Sequence, residues 1–198
     1  MNALPVIFEQ NYVERRSRLT TFFRLILAIP HYVVLSLWAI AASLVVIVAW
    51  FVLLFTARWP RGMFDFVAGF CRYATFVYAY VCLLTDEYPP FSGAEESTYP
   101  VRLTFAPPKP EYDRLKVLFR LFLAIPVAFI NYAMQIVAQI GAFIAWFVIV
   151  VTGKQAQGLQ DMTALGLSYQ QRSLTYFVLL TEDWPPFTDN PATRITPA

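Results

Sequence analysis

The sequence predicts an all-α integral membrane fold, four transmembrane helices arranged as a tandem parallel repeat of short strand, interfacial elbow helix and two spans. Three observations predict it. The 198 residues are 58% apolar and 17% aromatic, with only 14% charged, against roughly 25% charged in soluble domains. The chain repeats itself at an offset of 96 residues, with 27 identities over the 75 ungapped positions of 18–92 against 114–188. Each copy holds two long apolar stretches, the mark of membrane segments.

The repeat is read from three blocks. "RLTTFFRLILAIP" (18–30) aligns with "RLKVLFRLFLAIP" (114–126), "AWFVLLFTARWPRG" (49–62) with "AWFVIVVTGKQAQG" (145–158), and "YVCLLTDEYPPF" (80–91) with "YFVLLTEDWPPF" (176–187). The lead-ins "PVIF" (5–8) and "PVRLTF" (100–105) echo at an offset of 95 and read as short strands from their alternating, β-branched character. Unit 1 is 1–95 and unit 2 is 96–198.

Within unit 1 the apolar run from Leu25 to Phe55 is too long for one straight span. Thirty-one helical residues reach ~46 Å against a hydrocarbon core of ~30 Å. Pro30 is the expected break. It gives an elbow helix at 15–29 lying in the interface, a span at 31–56, the loop "TARWPRG", and a second span at 62–84 closed by Pro89 and Pro90. Unit 2 repeats this as elbow 113–125 and spans 127–151 and 159–180.

Two spans per unit return the chain to its starting side, which implies parallel units about an axis along the membrane normal. Ten basic residues (Arg15, Arg16, Arg18, Arg24, Arg102, Lys109, Arg114, Lys116, Arg120, Arg194) then share the terminal side with both termini, against Arg58, Arg61 and Lys154 opposite. The positive-inside rule makes that side cytoplasmic and the chain a multi-pass cell-membrane protein. The N-terminus lacks the basic start and small-residue cleavage site of a signal peptide.

"FFRLILAIPHYVV", "FTARWPRGMFDFVAGFCRYA" and "LLTDEYPPF" together resemble an uncharacterised prokaryotic membrane family, domain of unknown function forty-three eighty-nine, in two copies covering essentially the whole chain. The resemblance implies an integral membrane protein and carries no activity with it. The second copy departs at "AIPVA", which lacks the histidine, and at "TGKQAQGLQDM", which lacks the Trp-Pro-Arg turn.

Little in the chain offers catalysis. His31 is the single histidine, so no histidine-pair metal site exists, and with Cys71 and Cys82 it lacks zinc-ligand spacing. No glycine-rich phosphate loop or nucleophile elbow occurs. We therefore expect no enzyme, no metal and no cofactor. His31, just after Pro30, reads as an interfacial or headgroup-binding residue. The net charge of +2 gives no nucleic-acid signal.

The candidate binding residues are polar groups at membrane depth. Arg72 and Arg172 lie near the middle of the second helices, where a charge costs ~2.5–3.5 kcal/mol on insertion scales. In repeat register Arg172 matches position 76, one turn from Arg72, so both guanidiniums could enter one central anion or lipid-headgroup site beside Gln170 and Gln171. Arg24 and Arg120 of the elbows are further candidates for anionic headgroups. Asn131, Gln135 and Gln139 recur every four residues on one helix face, an adhesive stripe suited to a protein partner or another copy. The acid pairs Asp86, Glu87 and Glu182, Asp183 sit at the unfavourable end of the helix dipole. They are expected to latch the elbows through arginines such as Arg18 and Arg114, or Arg24 and Arg120.

The expected function is a small non-catalytic membrane protein acting as scaffold or accessory subunit of a larger complex. The alternative is a lipid- or anion-handling transporter component built on the arginine pair. Membrane lipids with anionic headgroups, a protein partner or a homo-oligomer are the expected partners.

Overall fold

The computed structural model describes residues 6–96 and 98–186. Phe187, Arg194 and the outermost parts of both units, on which the sequence carries expectations, lie outside these. The chain order is β1 (Val6–Gln10), α1 (Arg18–Thr56), α2 (Arg61–Val81), β2 (Val101–Phe105), α3 (Arg114–Leu118), α4 (Arg120–Thr152) and α5 (Gln157–Phe177). It is mostly helical, and it is a tandem repeat.

Each unit opens on a side-chain cap. The Ser17 hydroxyl accepts from the Thr20 amide, and its repeat mate Asp113 accepts from the Leu115 and Lys116 amides, satisfying amides that a helix start leaves unpaired. The long helices end on matched left-handed residues, Ala57 (φ 56°) and Gly153 (φ 72°). The shorter helices run into a second matched pair, Leu83 (φ 65°) and Leu179 (φ 66°), whose reversal lets the Leu84 amide reach the Ala79 carbonyl at 2.9 Å and the Leu180 amide reach Thr175 at 3.0 Å.

The break expected at Pro30 does not occur. α1 runs unbroken through it for 39 residues, and α4 runs through Pro126. Both prolines lie on the exposed side of their helices, so the ring and the carbonyl it leaves unpaired point away from the packed stripe of Ala28, His31 and Leu35. The elbow of unit 2 instead breaks at Phe119, between α3 and α4.

Among the described residues, two helices, α1 and α4, are long and apolar enough to cross a membrane. α2 and α5, read from the sequence as spans, carry Arg61, Asp65, Arg72, Gln160, Asp161, Gln170, Gln171 and Arg172. They are sheathed by protein, with most of their side chains buried. α1 and α4 bury one stripe each and leave the rest of their circumference exposed and apolar, from Leu19 to Phe55 and from Leu121 to Val151.

The units are related by a pseudo-two-fold axis, and repeat mates reveal its direction. The Trp50 indole donates to the Val117 carbonyl at 3.0 Å, and its mate Trp146 donates to Thr21, the mate of Val117, at 3.2 Å. The Tyr112 amide donates to the Ala57 carbonyl at 2.8 Å, and Arg16 donates to Gly153 at 3.0 Å. The start of α1 thus lies at the end of α4 and the reverse, so the long helices are antiparallel. The parallel arrangement expected from the sequence is corrected here. The connection through β2 carries the chain to the opposite end before α3 begins, a crossing that the helix count does not include. The basic residues redistribute accordingly. Lys154 joins Arg15, Arg16 and Arg18 at one end, with Glu14 bonded to Lys154 at 2.9 Å, while Arg58 and Arg61 join Arg114 and Lys116 at the other. The ten-to-three asymmetry disappears.

Antiparallel pairing of β1 with β2 closes the opposite side of the molecule. Phe8 faces Leu103 in its register, and these are mates at the 95-residue offset. The axis therefore passes through the middle of the strand ribbon and, between α2 and α5, through the mates Thr75 and Gln171, whose side chains are bonded at 3.0 Å.

Candidate functional site

The axis emerges between the long helices at a cavity. It has a volume of about 360 Å³ and is lined by Tyr32, Leu35, Ser36 and Ala39 of α1, Phe70, Ala74 and Tyr78 of α2, Asn131 of α4, and Gln170, Gln171, Leu174 and Phe177 of α5. Three mate pairs face one another across it: Leu35 and Asn131, Ala74 and Gln170, Tyr78 and Leu174. At each of the first two, unit 2 replaces a small or apolar residue with an amide. Tyr32 and Ser36 at its edge are exposed, on the apolar outer face of α1. Gln171 is 1% exposed, and its Nε2 has no hydrogen-bond partner among the described residues. The Asn131 Oδ1 is also buried and unpartnered. Among the described residues no ionisable group other than the tyrosines lines the space.

The arginines expected to meet at the axis are separated. Arg72 turns toward the ribbon, bonded to Glu95 at 2.7 Å with its guanidinium 5.1 Å from the Phe105 ring. It borders a charged cleft of about 270 Å³ with Glu9, Glu95, Glu96 and Arg102. Arg172 lies beside Val6, Thr175, Thr181 and Asp183. Their shared face turns toward the strand ribbon, Arg72 beside Phe105 of β2 and Arg172 beside Val6 of β1, and not into the cavity on the axis. Of the four residues grouped for that site, Gln170 and Gln171 stay at the axis without the charges.

The acid pairs meet the elbows in two different ways. In unit 1 the buried Arg24 guanidinium donates to Asp86 and to the Tyr80 and Thr85 carbonyls, and lies 4.5 Å from the Tyr80 ring. Asp86 also accepts from the Ser17 amide at 2.9 Å. In unit 2 the mates Arg120, Thr181 and Tyr176 repeat the carbonyl and ring contacts, at 2.9 and 3.9 Å. Glu182 accepts from the Asp113 amide at 2.5 Å, but its cation is Lys109 at 3.4 Å. Among the described residues Arg120 has no carboxylate within ion-pair distance, and Arg18 and Arg114 pair with none of these acids. Asp183 also meets Lys109, at 3.4 Å. Glu87 contributes backbone, its carbonyl accepting from Tyr99 at 3.2 Å. Burial, with Glu87 close by, holds the Tyr99 phenol well above its ordinary value.

The amide stripe is not one buried face. Asn131 enters the cavity, Gln135 is half-buried and Gln139 is exposed. His31 is not interfacial either. It is fully buried, with Nδ1 2.8 Å from the Tyr73 hydroxyl and its ring stacked 4.2 Å from Phe91. An unbroken helix at Pro30 turns it inward.

Thr75, Ala74 and Tyr78 were not singled out by the sequence reading. The available signal was the alignment itself, where the changes Leu35 to Asn131, Ala74 to Gln170 and Thr75 to Gln171 concentrate new amides at mid-helix.

No curated protein and no solved structure matches the chain. The profile of the family described as Domain of unknown function (DUF4389) matches residues 18–93 and again 114–189. These two matches cover most of the sequence and coincide with the two units, so the chain belongs to the DUF4389 family, as a tandem pair of its domains.

Proposed function

We propose that this protein is a non-catalytic platform seated in one leaflet of the membrane, with α1 and α4 lying in the bilayer plane and the ribbon facing water. In that position it acts as a scaffold or accessory subunit, offering its charged ribbon face to a protein partner. The observation that carries the reading is the split between the two faces. The side built from α1 and α4 is apolar along its length, while Glu9, Arg72, Glu95, Glu96 and Arg102 occupy the opposite side at mid-length. Upright helices would carry that charged cleft to the depth of the bilayer centre, where each uncompensated charge costs at least ~2.5 kcal/mol. Thirty-nine residues of α1 also extend to ~58 Å, about twice the hydrocarbon core. Lying flat removes both conflicts, and the pseudo-two-fold axis then stands along the membrane normal.

Basic residues at both ends of the slab, Arg18, Arg58, Arg61, Arg114, Lys116 and Lys154, would rest at headgroup level, which favours the anionic cytoplasmic leaflet and cytoplasmic termini. The test is flotation with vesicles, combined with tryptophan quenching by lipids brominated at defined chain depths. Trp50 and Trp146 are expected to be quenched at one shared depth by leaflet-restricted lipid. Unequal quenching of the two from opposite leaflets would overturn the flat arrangement. Copurification in mild detergent, with Glu95→Lys and Arg102→Glu releasing a bound protein, tests the platform role.

A further inference from the structure

We infer that the cavity on the pseudo-two-fold axis is a binding site for an uncharged, hydroxyl-headed lipid drawn from the surrounding leaflet. The inference rests on the flat seating for the source of the ligand, though not for the chemistry of the site. Two amides supply that chemistry, one on the buried Gln171 and one on the half-buried Asn131. Gln171 and Asn131 each bring to the cavity one atom with no hydrogen-bond partner, which is costly where water is scarce. Thr75 constrains Gln171 further. Its single hydroxyl hydrogen lies within reach of both the Cys71 carbonyl at 2.8 Å and the Gln171 amide at 3.0 Å, so it can serve only one of them. Whichever way the Gln171 amide is turned, one polar atom remains for a ligand. A hydroxyl both donates and accepts, so it can accept from the Gln171 Nε2 and donate to the Asn131 Oδ1.

The walls select against a charged head. Leu35, Ala39, Phe70, Ala74, Leu174 and Phe177 surround the amides, with no lysine or arginine among the described lining residues to balance a phosphate or carboxylate, whose desolvation would go uncompensated. The volume of about 360 Å³ is near the lower end of the ~300–1,000 Å³ usual for ligand sites. It suits a small head and the first part of a chain, the rest passing out at Tyr32 and Ser36 into the bilayer. The site exists once per chain because unit 1 supplies Leu35, Ala74 and Thr75 where unit 2 supplies Asn131, Gln170 and Gln171. The difference between the two units at these positions makes the polar head-site one-sided.

The same alignment provides the mildest variants. Asn131→Leu and Gln171→Thr install residues that the other unit already carries at these positions, and Ala74→Leu fills the space directly. Protein in detergent micelles, which needs no membrane seating, is equilibrated with dioleoylglycerol, oleyl alcohol or dioleoylphosphatidate, and retained lipid is read by native mass spectrometry. The expected result is one dioleoylglycerol or oleyl alcohol per chain and no phosphatidate, with roughly tenfold weaker retention in Asn131→Leu and Gln171→Thr, as for loss of one buried hydrogen bond, and none in Ala74→Leu. Stronger retention of the glycerol lipid than of the alcohol assigns the head to diacylglycerol, and the reverse assigns it to a free chain alcohol. Phosphatidate bound equally well, or retention unchanged in all three variants while they unfold normally on heating, overturns the site. Flotation of the same samples reports the seating separately. Protein that floats without retaining neutral lipid refutes the site alone, and protein that retains it without floating refutes the seating alone.

Discussion

The two helical hairpins began as one sequence and are now sealed by opposite means. In the second, α4 and α5 approach until glycine is obligatory. A Cβ on Gly166 would lie 2.5 Å from the Met134 carbonyl, and one on Gly141 would lie 2.5 Å from the Thr163 hydroxyl. In the first, the mates of these glycines are Phe70 and Val45, and the hairpin is held by bulk instead. Trp38 stacks 5.5 Å from Tyr73, and Tyr73 bonds His31. The elbows diverge too, with an ion pair in unit 1 and a backbone bond plus a remote lysine in unit 2. One architecture thus tolerates two packings, provided the axis contacts are kept.

The largest expected effect separates the two elbows. Asp86→Ala leaves the Arg24 guanidinium, 2% exposed, without its counter-ion, and should cost about 3–5 kcal/mol. The equivalent Glu182→Ala removes one backbone bond and a long contact to Lys109, and should cost about 1 kcal/mol. Thermal unfolding in detergent compares them, and equal losses would show the elbows to be alike. The next effect separates the seams. Gly166→Ala forces a methyl against backbone and should cost about 1–3 kcal/mol. Gly62→Ala, with nothing within 4 Å, should be neutral or stabilising by about 0.5–1 kcal/mol. A harmless Gly166→Ala would mean that α4 and α5 are not in close contact.

The smallest effect concerns the exposed pair joining the start of unit 1 to unit 2. Lys154 holds the Glu14 carboxyl below its ordinary value by a hydrogen bond and by charge, and Glu14 in turn raises Lys154. The lowered acid contributes stability above its unfolded pKa, and loses it as pH falls through the folded value. The raised base contributes below its unfolded pKa, and loses it as pH rises through the folded value. Glu14→Gln should therefore change the melting temperature slightly at neutral pH and not at all in strong acid.

Much of this was legible in the sequence because duplication is a covalent fact. The tandem repeat and the matched acids after each short helix follow from aligning the chain with itself. The direction of the repeat was not legible, since it depends on a five-residue strand that crosses the molecule while looking like a lead-in. Pro30 misled because its effect depends on which side it faces, and packing on the other side of α1 keeps the helix whole. Arg72 and Arg172 share a face by spacing alone. That face turns toward the strand ribbon, and only the amides beside Arg172 line the cavity on the axis.

Impermeant-thiol labelling from one side of oriented vesicles tests the central claim most directly, using a background in which Cys71 and Cys82 are replaced by alanine. Arg18→Cys, Arg58→Cys and Glu95→Cys mark the two ends of the slab and the ribbon face, and Leu44→Cys marks the apolar face. The flat, antiparallel arrangement predicts that the first three label from the same side and that Leu44→Cys labels from neither. Labelling of Arg18→Cys and Arg58→Cys from opposite sides would contradict it and stand α1 upright in the membrane.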